Sequence, residues 1–146
     1  MGAEFNNQIQ IELHVPNFDV VKDFYSKLGF NIVWEQSSHG NENDYLVMQR
    51  DGVILNFWPG NDAVYDQPYF KNFAPDTKRG YGVEIVYMVD DIHSYYEDVS
   101  KFANVVEELK KQPWGLFDFR IEDPFGFYLR ITEPHDIRDS SNAVES

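Results

Sequence analysis

One order of hydrophobic spacings runs through this chain twice, and that repeat constrains the fold more than any single motif. From Gln8 to Val15 the residues alternate, with Ile9, Ile11, Leu13 and Val15 on one side and Gln10, Glu12 and His14 on the other, the mark of a half-buried strand. Asp19 then opens a helix in "DVVKDFYSKLGF", with Val20, Val21, Phe24 and Leu28 at helical spacing and Gly29 placed as a left-handed cap. Strands follow in "NIVWEQ", "DYLVMQR" and "VILNFW", the last two joined by Asp51-Gly52, a strong two-residue hairpin signal.

The second copy keeps the order. "YGVEIVYMV" reads as a strand, "DDIHSYYEDVSKF" as a helix with Ile92, Tyr95, Val99 and Phe102 on its apolar face, and "NVVEEL", "LFDFRIE" and "FYLRIT" as strands. Each copy is βαβββ. Superposing the two hairpins sets Asn56 against Arg130. A repeat of about sixty residues occurring twice is too long and too few for a solenoid. The expected fold is α+β: two βαβββ modules, residues 8–58 and 80–134, whose curved mixed sheets form a half-barrel cleft within one domain, 8–134. Residues 59–79 join them, a segment without clean period that carries Tyr65, Tyr69, Phe70 and Phe73 among turn formers. It is expected to be a lid or binding loop, or else to pack its aromatics at the seam. Residues 1–7 are expected to be disordered or a cloning remnant, and 135–146 a flexible tail.

Charge narrows the partners. Twenty-five acidic residues against 12 Lys and Arg give a formal net charge of -13, which repels nucleic acid and attracts cations. With no cysteine, disulfides and thiolate metal sites are excluded. The N-terminal residues do not resemble a secretory signal and no apolar run is long enough to span a membrane, so a cytoplasmic protein is expected.

Taking every second residue of each strand collects a polar face: Gln10, Glu12, His14, Asn56, Trp58, Glu84, Met88, Asp118, Arg120, Tyr128, Arg130 and Thr132. On an open sheet this would be a solvated surface; on a curled one it would line a cavity. No nucleophile elbow or Gly-rich phosphate loop is present, and the arginines beside Glu12, Glu84 and Asp118 point to ion pairing rather than acid–base catalysis.

Three stretches, "HVPNFDVVKDFYSKLGF", "VYMVDDI" and "EDPFGFYLRITEP", in this order and spacing, resemble the vicinal oxygen chelate superfamily, which includes glyoxalase I, extradiol dioxygenases and fosfomycin and bleomycin resistance proteins. The resemblance spans roughly residues 8–134. It implies that metal-dependent relatives would hold an ion at the positions of Gln10, Asn56, Glu84 and Arg130. An arginine has no lone pair to give a metal, so no metal and no cofactor is expected here, and Arg130 is placed to neutralise Glu84 instead. An offset site of Glu12, His14 and Glu84 is the metal-binding alternative; His39, His93 and His135 show no ligand spacing.

The bleomycin resistance branch is the most similar, through the "QPWG" turn at Gln112–Gly115. Its second turn departs from the branch, with Phe127 in place of the usual asparagine. That similarity implies a homodimer with ligand clefts at its interface and sequestration of a cationic or aromatic molecule without chemistry, while leaving open whether antibiotic resistance is the biological role. Trp34, Trp58, Tyr65, Tyr69 and Trp114 are the stacking candidates, Glu12, Glu84 and Asp118 the candidates for a cation, and His14, Asn56, Arg120 and Arg130 complete the expected lining. The alternative is a metal-dependent lyase or dioxygenase of the same superfamily.

Overall fold

A computed structural model describes residues 10–37, 44–59, 67–74 and 76–139. The expectations for residues 1–7, His39, Tyr65 and residues 140–146 lie outside the described residues. The chain divides into two units, Met1–Thr77 and Lys78–Ser146.

In the first unit β1 (Glu12–Val15) leads into α1 (Phe18–Lys27), then β2 (Asn31–Gln36), β3 (Tyr45–Arg50) and β4 (Val53–Pro59), with sheet order β1-β4-β3-β2. The βα crossover makes β1 parallel to β4, and the hairpins make the other pairs antiparallel. Asp51 takes φ 49 in the two-residue β3–β4 turn, a left-handed conformation that Asp tolerates. Leu13, Val15, Leu46, Met48, Leu55 and Phe57 turn one sheet face to α1, which buries Val21, Phe24 and Tyr25 against it. Tyr25 meets Phe57 at 5.2 Å between ring centroids. Each such fully buried large side chain contributes about 1.5–3 kcal/mol.

The second unit repeats the design with β5 (Glu84–Met88), α2 (Ile92–Val99), β6 (Asn104–Lys111), β7 (Phe117–Glu122) and β8 (Tyr128–Thr132), in sheet order β5-β8-β7-β6. Phe119, Ile121, Leu129 and Ile131 are fully buried, and Tyr96 of α2 crosses Phe119 edge to face at 4.9 Å. The paired hydroxyls of Tyr87 and Tyr95, 2.7 Å apart, satisfy each other in this apolar setting. The architecture is α+β, two four-stranded mixed sheets each backed by one helix. Among the described residues no helix is long and apolar enough to cross a membrane.

Several expectations change. α2 closes at Val99, so Phe102 lies beyond the helix, and β5 begins at Glu84 rather than Tyr81. β1 begins at Glu12, where pairing with Asn56 starts, so Gln10 and Ile11 lie before the ladder and Ile11 is 61% exposed. The helix opens one residue before Asp19: the Asn17 side chain caps it, accepting from the backbone N–H of Asp19 at 2.8 Å and Val20 at 3.2 Å. Val20 is exposed, and Tyr25 takes its place in the core.

Candidate functional site

The face of each sheet turned away from its helix can be read in rows across four strands. In the first unit one row runs Glu12, Asn56, Val47, Trp34; its counterpart in the second runs Val86, Arg130, Arg120, Glu107. These registers give Asn56 and Arg130 the same place in their modules. Both edge strands slip register beside the row, between Ile32 and Trp34 in β2 and between Val105 and Glu107 in β6. Each bulge inserts one residue and turns the following side chain to the opposite face. Trp34 and Glu107 thereby join the outer faces. Strict alternation from Ile32 or Val105 would have sent them to the core side.

The outer face of the first unit is aromatic. His14 packs between Trp58 and Phe70, with ring centroids 5.1 and 5.0 Å away. Phe70 belongs to a 3-10 helix, Phe70–Asn72, so the described part of the linker is anchored on this face, while Tyr69 beside it is 68% exposed. Tyr45 stands 6.3 Å from Trp34, which is half-exposed. The Tyr45 hydroxyl reaches across β4 to donate to Glu12 Oε1 at 2.9 Å. Burial, followed by the hydrogen bond to Glu12 and its negative charge, pushes the phenol up to about 12, against an opposing hydrogen bond from Asn56. Among the described residues no lysine or arginine pairs with Glu12.

The outer face of the second unit is ionic. Arg120 and Arg130 stand directly opposite on β7 and β8, a like-charge pair that is unfavourable by itself. Carboxylates surround them. Arg120 Nε donates to Glu84 Oε1 at 2.9 Å and its Nη1 to Glu107, whose other oxygen lies 2.6 Å from the Lys110 ammonium. Burial works against the charge of Arg120, but its bonds to Glu84 and Glu107 outweigh that and raise its pKa. The Lys110 ammonium, then Gln112 and Arg120, hold the Glu107 carboxyl down to about 2 despite the cost of its desolvation. Asp118 is fully buried, with Gln112 Nε2 donating to its Oδ1 at 2.7 Å and Arg130 Nη1 3.6 Å from its Oδ2. Arg130, expected to neutralise Glu84, does pair with it, its Nε 3.5 Å from Glu84 Oε1, while Arg120 makes the hydrogen bond to the same oxygen. A guanidinium shared between strands reaches whichever carboxylate the register brings nearest.

The "QPWG" stretch forms the β6–β7 turn. Gly115 N–H bonds Gln112 C=O at 2.9 Å and Gln112 N–H bonds Leu116 C=O at 2.8 Å, with Gly115 at φ 96. Asp123-Pro124-Phe125-Gly126-Phe127 repeats the same two bonds, and Gly126 has the same φ. Within the first turn Gln112 reaches the ionic cluster, whereas half-buried Trp114 makes no ring contact with another described residue. Gln112, Glu107, Lys110 and Tyr45 were not among the expected site residues. Gln112 lies in a turn, Glu107 follows a bulge, and Tyr45 matters through a reach across one intervening strand.

The four positions at which metal-dependent relatives would hold an ion do not fit one. Gln10 precedes the strand, Asn56 engages Tyr45, Glu84 is bound by Arg120, and Arg130 offers only donors. Among the described residues no group of three or more His, Asp or Glu is arranged to hold a metal.

No protein of curated function matches the sequence. Among solved structures, the chain is similar to a bleomycin resistance determinant encoded on transposon Tn5, at 21% identity and TM-score 0.61 over 90% of this chain and 100% of that one. It is similar to a bleomycin-binding protein crystallised with bleomycin, at 21% identity and TM-score 0.57 over 89% and 100% of the two chains. A glyoxalase-related enzyme from Fulvimarina pelagi is similar at 15% identity and TM-score 0.64, covering 89% of each. At these identities the structures speak for the fold alone. A family model matches residues 7–131, nearly the whole of the described chain, and on that match the chain belongs to the Glyoxalase/Bleomycin resistance protein/Dioxygenase superfamily.

Proposed function

We propose that this is a metal-free binding protein of the bleomycin resistance type, a cytoplasmic homodimer that sequesters a cationic or aromatic small molecule in clefts at the dimer interface. The observation that carries the reading is the outer face of the first unit. There Tyr45 donates to Glu12, a carboxylate that no described lysine or arginine pairs, Trp34 lies 6.3 Å from the Tyr45 ring, and Trp58 packs on His14 of the same face. Flat rings stack on such a surface, and a ligand cation gains from both the carboxylate and the rings, at about 0.5–2 kcal/mol for each ring contact. Glu84 and Asp118, the other cation candidates, are already engaged by arginines in the second unit.

The test is a thermal-shift screen of cationic and aromatic compounds, bleomycin included, with and without divalent metals, beside light scattering for the dimer. Stabilisation by flat cations that needs no metal and is lost in Trp58→Ala and Glu12→Gln is the expected result. Affinities unchanged in both variants would remove the assignment to this face, and stoichiometric metal in protein purified without chelator would overturn the metal-free reading.

A further inference from the structure

Arg130 is surrounded by charge yet, among the described residues, its side chain donates no hydrogen bond: its two contacts, to Glu84 and Asp118, are ion pairs at 3.5 and 3.6 Å. Among the described residues, three side-chain atoms at this point of the sheet are buried without a hydrogen-bonding partner: Arg130 Nε, Asp118 Oδ2 and Thr132 Oγ1. Asp118 and Thr132 are fully buried and face each other across β7 and β8. Buried polar groups are nearly always satisfied in folded proteins, so three together mark an incomplete arrangement. Beside them, Glu84 uses only Oε1, and its Oε2 accepts no hydrogen bond among the described residues.

We infer that Arg130 and Glu84 form a subsite for a neutral planar amide group of the ligand. Nε is buried, so the donors Arg130 can offer the carbonyl oxygen are those of Nη1 and Nη2, on a side chain a fifth exposed, and Glu84, a third exposed, offers Oε2 to the amide N–H. Charge selects the neutral group. Glu84, Glu107 and Asp118 already face Arg120, Arg130 and Lys110, so the cluster is balanced and an added ion of either sign would be left unmatched. The inference rests on the small-molecule reading above and adds a second recognition element of different chemistry, in the second unit.

The test uses the full chain with benzamide, benzoate and benzylamine as matched probes, followed by the arginine Nε–H signals in proton–nitrogen spectra. The Arg130 signal is assigned by its loss in Arg130→Lys, which keeps the charge and removes the planar fork. Benzamide is expected to shift the Arg130 signal more than either ion does. Its affinity should fall about tenfold in Arg130→Lys and in Glu84→Gln, the worth of one hydrogen bond to a charged group. Tighter binding of benzoate or benzylamine at Arg130, or no shift there with any probe, overturns the inference. Shifts confined to the Trp34 and Trp58 indoles also overturn it while leaving the first-unit reading intact, whereas failure of the cationic screen with benzamide still bound at Arg130 removes that reading and not this one.

Discussion

Replacing Asp118 with asparagine keeps the shape of a fully buried side chain and deletes its charge. Arg130 then loses the carboxylate at 3.6 Å and Arg120 the one at 3.9 Å, while the two guanidinium groups remain directly opposed on β7 and β8. Removing one partner of a buried ion pair costs about 3–5 kcal/mol because the other charge is stranded. The arginines keep 15% and 21% of their side chains exposed, so water screens part of that loss and the lower end, about 3 kcal/mol, is the expectation. At roughly 3 °C per kcal/mol for a chain of this size, the melting temperature should fall by about 9 °C. Urea unfolding of Asp118→Asn, Arg130→Met and the double variant measures it. The double variant should recover about 2 kcal/mol of the loss of Asp118→Asn, since no stranded charge remains opposite Arg120. An Asp118→Asn variant within about 0.5 kcal/mol of the parent would refute the argument, because surface-like positions alone behave that way.

Three further outcomes follow from the same contacts. The difference in ultraviolet titration between the parent and Tyr45→Phe should show one phenol ionising near 12, and Glu12→Gln should bring it down only partway, since burial is the larger cause. With the folded pKa raised, the stability Tyr45 contributes is complete below about pH 10 and disappears as pH climbs towards 12. Glu107 has the opposite sign: its lowered pKa adds stability above about pH 4.5 that is lost as pH falls towards 2, so acid unfolding of Glu107→Gln should be flatter over that window. Gly115→Ala and Gly126→Ala place a side chain at the same positive φ, a penalty of about 1–2 kcal/mol. A Cβ meets nothing within 4 Å at Gly115, but at Gly126 it would lie 2.6 Å from Lys78 Cγ and 3.1 Å from the Arg79 backbone, so Gly126→Ala should unfold at distinctly lower denaturant; equal midpoints would contradict the crowding.

Element order, the Asp51-Gly52 turn and the glycine after α1 were legible because periodicity and turn chemistry are local. The same is true of the modular repeat and of the side of β7 to which Asp118 and Arg120 point. What failed locally was small and specific. Asn17 outcompeted Asp19 as the cap, and β1 shortened because a strand exists only where it has a partner.

The sequence by itself determined two βαβββ modules, an acidic cysteine-free chain, and an outer face on each sheet richer in polar groups than a plain core would allow. Tertiary structure decided what those faces are. Matching bulges in β2 and β6 bring Trp34 and Glu107 onto them, Tyr45 spans a strand to reach Glu12, and Gln112 leaves a turn to hold Asp118. The first face is therefore aromatic with a carboxylate that no described lysine or arginine pairs, and the second a balanced set of ions. Such partnerships depend on the register and reach between paired strands and turns, which no period within a strand encodes.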